Sequence, residues 1–489
     1  MSLGITEFKY ACKEYLSSLN IFDLRTCCRN FVVSNPTEKK KSELLEEVVA
    51  ILAGEQAPAA PSKKGAPVKS EHLDPEILKT IKQYKEKYLA VFHEKTWLQK
   101  LREEAGLNPI LRVESPAMPE PVKREYSFGD PVYRGQLETI DNVSFLLPLD
   151  CSHREEPFIV PIETIREYAL REGDIVSCGA MRSENALVAS TVLTINETRI
   201  EDFKRVRFEE TAFCDETTPL LPFDEGFDAF DSAKYAGWLA PLYEGERYCI
   251  AASPKSGKTE LLYRILHGLQ HRKRRPYVLA YLCGQTPEAI AKFRGLLGKD
   301  GLIYSTYEDE PERQVFLAEF LLRRAKRLAE SGQEVILAID SVNALARAYN
   351  ETKESAGGKV LAGGLESKTL LYLKRYFSAA RKLENSGSLT VVWTLAENTG
   401  NPMDDLLSAE MCSVSNTVLR LSESLARERI YPAIDLQASR IVNKDSAIEE
   451  LERYTRSVFL PRHGEVELRR LIKDAQSREE LFEKMKNQR

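Results

Sequence analysis

The sequence predicts a multi-domain α/β protein. Its second half is a mostly parallel sheet covered by helices, and a small β-barrel and a helical N-terminal unit precede it. Three observations carry this reading. After Leu242, apolar runs of strand length alternate with amphipathic stretches of helical period. From Tyr133 to Asn196 the texture is different, with several short β-type runs punctuated by turn residues. Residues 1–53 carry helix signals only.

In the N-terminal unit, residues 1–53, Leu24-Arg25 opens one helix and Ser34-Asn35-Pro36-Thr37 makes a turn. Lys39-Lys40-Lys41-Ser42-Glu43-Leu44-Leu45 then leads into a second helix ending near Gly54. Residues 54–125 read as a linker, rich in Ala, Pro, Gly and Lys over 54–72 and again Pro-rich from Glu114 to Lys123. Between these lies a charged helix, Leu73 to Glu104, with Ile77, Ile81, Tyr84, Tyr88 and Val91 on one face. Residues 126–200 hold the short strands: Gly135–Ile140, Val143–Leu147, Phe158–Val160, Asp174–Ser177 and Leu187–Ile195. Asp141-Asn142 and Glu172-Gly173-Asp174 mark turns, and the whole suggests a small barrel of OB or cold-shock type. Residues 201–240 connect it to the α/β domain, 241–489. There the candidate strands are Tyr248–Ala252, Tyr277–Leu282, Val335–Ile339 and Leu389–Leu395, and the clearest helices are Pro287–Leu297 and Glu312–Leu328.

Composition narrows the class. Of 489 residues, 43% are hydrophobic and 29% charged, as in a soluble globular protein. No apolar run approaches the ~20 residues that span a bilayer, and the N-terminus lacks a signal-peptide pattern, so a cytoplasmic protein without a membrane partner is expected. Nine scattered cysteines without CxxC pairs suggest reduced thiols rather than disulfides or zinc. With net charge −5, nucleic-acid binding would need a local basic surface.

The most informative stretch runs from Tyr248 to Leu262. An apolar strand enters a loop ending Gly257-Lys258-Thr259, and a helix-like segment, Glu260–Leu269, follows. Such a loop wraps polyphosphate with its backbone N–H groups and the helix N-terminus. Lys258 would reach the β/γ-phosphates, and the Thr259 hydroxyl would ligate Mg²⁺. Ala252 stands where the general pattern has Gly. About eighty residues on, Val335-Ile-Leu-Ala-Ile-Asp340 is an apolar strand ending in a carboxylate that can hold the Mg²⁺ shell. Together the two segments imply ATP or GTP with Mg²⁺ in a RecA-like P-loop NTPase core.

From Tyr133 to about Glu449 the chain resembles the bacterial transcription termination factor Rho family, ring-shaped RNA-dependent ATPases and translocases. The resemblance rests on ordered blocks. They are Ser253–Thr259, Ser305–Pro311, Ala325–Leu328, Asp340–Asn350, Gly358–Gly364, Lys374–Arg381, Gly387–Thr390 and Arg429–Asp435. The first two helices also resemble a SAP-type helix-loop-helix, though they fit a two-helix docking module nearly as well. The resemblance implies that Ser253, Pro254, Lys255, Ser256, Gly257, Lys258, Thr259 and Glu260 surround ATP, with Asp340 as the Walker B acid. Tyr431 would stack on the adenine, Arg429 would belong to the catalytic set, and Lys359 and Val360 would touch RNA in a central pore. It further implies a homo-hexamer acting on single-stranded RNA, with RNA polymerase or a second Rho as other partners.

Four departures from the family pattern stand out. Gln285 occupies the place of the carboxylate that polarises the attacking water; an amide can orient water but cannot take its proton. Glu288, nearby, matches a different family position. Val442 falls at the arginine-finger position, with Arg440 two residues earlier. Pro402 replaces a loop lysine, and Met411–Asn416 replaces a Phe-Lys-Gly-Thr-Gly-Asn segment. On the barrel, Phe145 is one aromatic where the family has two, Ile159 replaces a stacking tyrosine, and Arg166 remains. Phe145 fits RNA stacking and core packing equally well. Three functions follow as alternatives: a working RNA-dependent ATPase/helicase, a paralogue that binds ATP but hydrolyses it slowly or not at all, and another RecA-like motor. The Asp340–Asn350 and Gly358–Gly364 blocks argue against the last, and Gln285 with Val442 favours the second.

Overall fold

In the computed structural model the described residues are parts of 12–52, residues 77 and 80, and 132–488. Residues 141, 153–155, 184–185, 215–217, 221–230, 273, 353–358 and 443–444 are excepted from that last span. The expected linker, its two Pro-rich stretches and nearly all of the Leu73–Glu104 helix lie outside these residues. The chain divides into two compact units, Met1–Glu103 and Glu104–Arg489.

In the first unit, helices α1 (Ile21–Asn30) and α2 (Lys41–Leu52) bury Leu24, Cys27 and Cys28 against Leu44, Leu45, Val48 and Val49. The sequence placed the start of α1 near Leu24, but it begins at Ile21. The reason is Asn20, whose Oδ1 accepts from the N–H groups of Phe22 and Asp23, both at 2.9 Å, as an N-cap.

The second unit opens with the barrel. Its strands are β1 (Tyr133–Ile140), β2 (Val143–Leu147), β3 (Phe158–Ile159), β4 (Ile175–Arg182) and β5 (Leu187–Ile195), with α3 (Ile162–Glu167) between β3 and β4. They run in the order β3-β2-β1-β4-β5, and β5 pairs back with β3 to close the barrel. A short β6 (Thr198–Arg199) hangs on β5. Alternation along β1 and β2 sends Leu137 and Leu146 into the barrel core with Phe158, Val176 and Val192. The opposite face of β1 carries Gln136 and Glu138, both buried, because it packs on the α/β domain.

That domain comprises α4 (Asp231–Leu239), β7 (Arg247–Ala252), α5 (Lys258–Gln270), β8 (Tyr277–Cys283), α6 (Pro287–Gly301), β9 (Leu302–Ser305) and α7 (Pro311–Glu330). It continues with β10 (Glu334–Asp340), α8 (Val342–Glu351), α9 (Ser367–Phe377), β11 (Arg381–Lys382), β12 (Ser388–Ala396), α10 (Pro402–Val414), β13 (Thr417–Leu421) and α11 (Glu423–Arg427). The last elements are β14 (Ile434–Arg440), α12 (Ser446–Tyr454), α13 (Leu460–Asp474) and α14 (Arg478–Asn487). The sheet order is β14-β13-β7-β12-β10-β8-β9, parallel except for β14, with β11 beside β12. Central strands such as β10 and β12 are buried on both faces, which is why they read as near-continuous apolar runs. Helix α6 is interrupted at Gly298, whose φ of 70° is left-handed, one residue beyond the end that the sequence implied.

A polar seam joins barrel and sheet. The Arg324 guanidinium, fully buried on α7, donates to Gln136 Oε1 at 2.6 Å and to the Asp300 carbonyl at 2.9 Å. Burial pulls its pKa down to about 10, which leaves it charged at neutral pH. Arg323 pairs with Glu138 at 2.8 Å, and Arg205 pairs with buried Asp174 at 2.8 Å. Gly173 makes this approach possible. Its φ is +88°, and a Cβ there would lie 2.6 Å from the Arg323 carbonyl carbon, so no other residue fits without displacing α7.

Candidate functional site

The site lies at the carboxyl ends of the parallel strands, where ligands of such sheets collect. Strand β12 runs between β7 and β10, so the loop leaving β7 and the carboxylate ending β10 are two strands apart. The loop Ser253–Gly257 turns sharply through Lys255 (φ 63°) and Gly257 (φ 93°) into α5. No side chain caps α5, so the N–H groups of its first turn stay open toward the loop. Ser256 Oγ is buried without a hydrogen-bond partner. Ser253 Oγ accepts from Asn398 Nδ2 at 3.3 Å, while Pro254, Lys255 and Glu260 are exposed.

Asp340 is fully buried at the end of β10, followed by a cis peptide to Ser341. Its Oδ2 accepts from Thr259 Oγ1 at 2.7 Å, and its Oδ1 accepts from Thr394 Oγ1. Burial pushes its carboxyl above the usual range, while the two hydroxyls and the nearby Lys258 ammonium oppose the shift. Thr259, Lys258 and Asp340 therefore converge. Gln285 joins them from the end of β8, its Nε2 lying 3.5 Å from the Asp340 carbonyl oxygen. Glu288 does not. It is exposed, and its own backbone N–H and the Thr286 hydroxyl hold its carboxyl below the usual range, as a helix-start group.

Tyr431 is 54% exposed and leans over the phosphate-loop turn: a methyl built on Gly257 would lie 3.6 Å from its Cε1. It also borders a cavity of about 240 Å³ shared with Tyr235, Pro432, Arg469 and Lys473. Arg429 is exposed with a left-handed backbone (φ 59°). Val442 is 40% exposed. Arg440 is committed elsewhere: its Nη2 donates to the carbonyls of Cys412 (2.5 Å) and Ser415 (2.8 Å), closing the C-terminal end of α10.

The candidate RNA residues lie apart from this cluster. Lys359 and Val360 are exposed at the base of a loop closed by a bridge between Val360 and Glu366 and by the Lys359 N–H donating to Ser367 Oγ at 3.1 Å. Gly358 is outside the described residues. On the barrel, Arg166 is exposed on α3, but Phe145 is only 2% exposed. Its ring shares the strand face of Glu138, its cross-strand partner, and not that of Leu146 in the barrel interior. Enclosed there, it offers no surface to a base, and packing is the reading that its burial fits.

Two residues escaped the sequence reading. Thr394 holds Asp340, and its signal was one of two threonines, with Thr390, inside the otherwise apolar run Leu389–Leu395. Asn343 fixes the end of β12, accepting from the Ala396 N–H at 2.7 Å and donating to Asp404 at 2.8 Å. No sequence spacing marks it.

The residues present fit a nucleotide with a hard divalent cation. A partnerless buried hydroxyl in the loop, uncapped helix N–H groups and a Thr–Asp oxygen pair match phosphate oxygens and Mg²⁺. Among the described residues no cluster of His, Cys, Asp and Glu would hold a transition metal. No helix among them is long and apolar enough to cross a membrane.

Comparison with known proteins agrees. Residues 234–440 match the ATP synthase alpha/beta family, nucleotide-binding domain. The transcription termination factor Rho of Allochromatium vinosum is 33% identical over 330 residues, 65% of this chain and 78% of that protein. Rho of Escherichia coli K12 is 33% identical over 323 residues, 64% of this chain and 75% of that protein. A solved ATPase from the type III secretion system of pathogenic bacteria shares 22% identity over 52% of this chain and 83% of its own, at a TM-score of 0.43, too loose a superposition to add to the fold above. With the phosphate loop, the strand-end carboxylate and the closed barrel in place, the extent of these matches settles the kinship: the chain belongs to the transcription termination factor Rho family.

Proposed function

We propose that this chain is an ATP- and RNA-binding termination factor that assembles as a homo-hexameric ring and hydrolyses ATP slowly. In this reading Lys255, Lys258 and the loop N–H groups hold the phosphates. Thr259 and Asp340 hold Mg²⁺, which supplies charge neutralisation at the phosphates, and Tyr431 stacks on the base. Lys359 and Val360 contact RNA in the pore, Arg166 contacts it on the barrel, and the two N-terminal helices act as a SAP-like unit. The domains divide as the sequence suggests, at about residues 53, 125, 200 and 240.

The carrying observation is Gln285 at 3.5 Å from the Asp340 carbonyl, at the end of β8 where the family has a general base. Its amide orients a water but cannot accept the proton, and such a base commonly contributes ~10²–10⁴ in rate. Glu288, turned to its own helix start, supports the same reading. So does Arg440, whose two carbonyl bonds would have to break before it could serve a neighbouring site as an arginine finger, a group worth ~10³–10⁵.

The test is steady-state ATP hydrolysis with and without C-rich RNA, alongside Mg·ATP binding. The unmodified protein should bind Mg·ATP and show little RNA-stimulated turnover. Gln285→Glu combined with Val442→Arg should raise turnover at least about tenfold. Rapid RNA-stimulated hydrolysis by the unmodified protein would overturn the reading.

A further inference from the structure

His271-Arg272-Lys273-Arg274-Arg275 contains four consecutive cations in a chain whose net charge is −5. The segment joins α5 to β8 at the amino end of the parallel sheet, the end opposite the phosphate loop, so it plays no part in the site above. It emerges beside the barrel. Tyr277, the first residue of β8, lies within electrostatic reach of Arg134 of β1, and Arg134 bonds Asp300 and Glu197.

Its charge is poorly neutralised. Arg274 Nε lies 3.1 Å and Arg272 Nη1 3.9 Å from the same carboxylate, Glu334. Arg272 is partly buried, and burial pulls its pKa down, whereas Arg274 is 80% exposed. Arg275 is exposed and has no acidic partner among the described residues. The Arg274 side chain is solvated although its partner Glu334 is only 14% exposed, so solvent screens the pair and leaves the guanidinium open to another anion. Among the described residues, no large apolar side chain in the run or adjoining it in sequence is exposed, as insertion into a lipid surface would require.

We propose that the His271–Arg275 loop is an auxiliary contact for the phosphodiester backbone of single-stranded RNA held by the barrel. This rests on the RNA-binding reading above. The barrel has lost aromatic platforms, and its Phe145 is enclosed, so affinity must shift from base stacking, which contributes ~1–3 kcal/mol per base, to charge. The loop supplies that charge, next to the strand that anchors the barrel.

The test uses the full chain and a fluorescently labelled oligocytidylate, with binding followed by anisotropy between about 50 and 200 mM salt. In a counterion-release account each phosphate contact on a single strand contributes a log–log slope of ~0.7, about fivefold at 0.1 M salt relative to 1 M. The Arg274→Gln, Arg275→Gln protein should therefore bind about 10–30-fold more weakly and show a slope shallower by ~1.4. Thermal melting and Mg·ATP binding should stay unchanged. The Arg274→Lys, Arg275→Lys protein should keep both slope and affinity within about threefold. Unchanged RNA binding in the Gln variant would overturn the proposal, as would a loss confined to anionic phospholipid vesicles. An unmodified protein that binds Mg·ATP but no RNA would instead overturn the RNA reading itself.

Discussion

Replacing Thr394 by valine removes one oxygen and keeps the side-chain shape. Thr394 is fully buried, and its hydroxyl donates to Asp340 Oδ1, while Thr259 serves Oδ2. Valine leaves Oδ1 without that donor in a site where Asp340 is itself fully buried. A hydrogen bond to a charged group contributes about 1.5–3 kcal/mol net. Because the bond favours the ionised form, its loss should push the carboxyl still further up. The sign follows. Burial already raises this carboxyl in the folded protein, so its ionisation opposes folding. The stability tied to its protonated form is fully present below the unfolded carboxyl value and is lost as pH rises through the folded one. The substitution should therefore destabilise the Mg²⁺-free protein more at pH 8 than at pH 5, by about 1.5–3 kcal/mol at the upper end. Binding of Mg·ADP, which needs the carboxylate, should lose its acid limb at a higher pH than in the unmodified protein. Urea denaturation at the two pH values and a fluorescent-nucleotide titration read both effects. An unchanged pH profile with a loss below about 0.5 kcal/mol would refute the idea that Thr394 sustains the Asp340 charge.

Two further substitutions test other parts of the structure. Arg324→Ala strands Gln136 Oε1 and the Asp300 carbonyl in the seam and should cost about 3–5 kcal/mol, splitting the urea transition into separate barrel and sheet steps; a single unshifted transition would contradict the seam's role. Arg440→Ala should lower stability by about 1–2 kcal/mol through the lost carbonyl bonds of α10. It should leave ATP turnover within about twofold, whereas a drop of the size a finger supplies, ~10³ or more, would show Arg440 serving a neighbouring site.

The α/β core was legible because it is written in continuous apolar runs. The strands around Tyr248, Tyr277, Val335 and Leu389 each fall within a residue or so of their observed bounds. The phosphate loop and Asp340 were legible because their chemistry fixes residue types at strand ends. What escaped depends on partners far away in sequence. Glu138 and Gln136 look like the wet face of a strand until Arg323 and Arg324, nearly two hundred residues on, cover them. Phe145 was ambiguous for the same reason: its surroundings come from packing, not from its neighbours in the chain. Arg440 stood two residues before the arginine-finger position in the sequence, and only the fold shows the helix end that holds it.

Helix α7 carries Arg323 and Arg324 in the seam, and after a three-residue turn the chain becomes β10, which ends at Asp340. The barrel is thus bolted to the element that leads straight to the Walker-type carboxylate. Tension on a strand gripped by the barrel would not be absorbed by a slack joint; it would load α7 and arrive at the floor of the nucleotide site. If the barrel holds RNA as proposed, the tethered nucleic acid would act as a lever on the pocket, whether or not the pocket turns over.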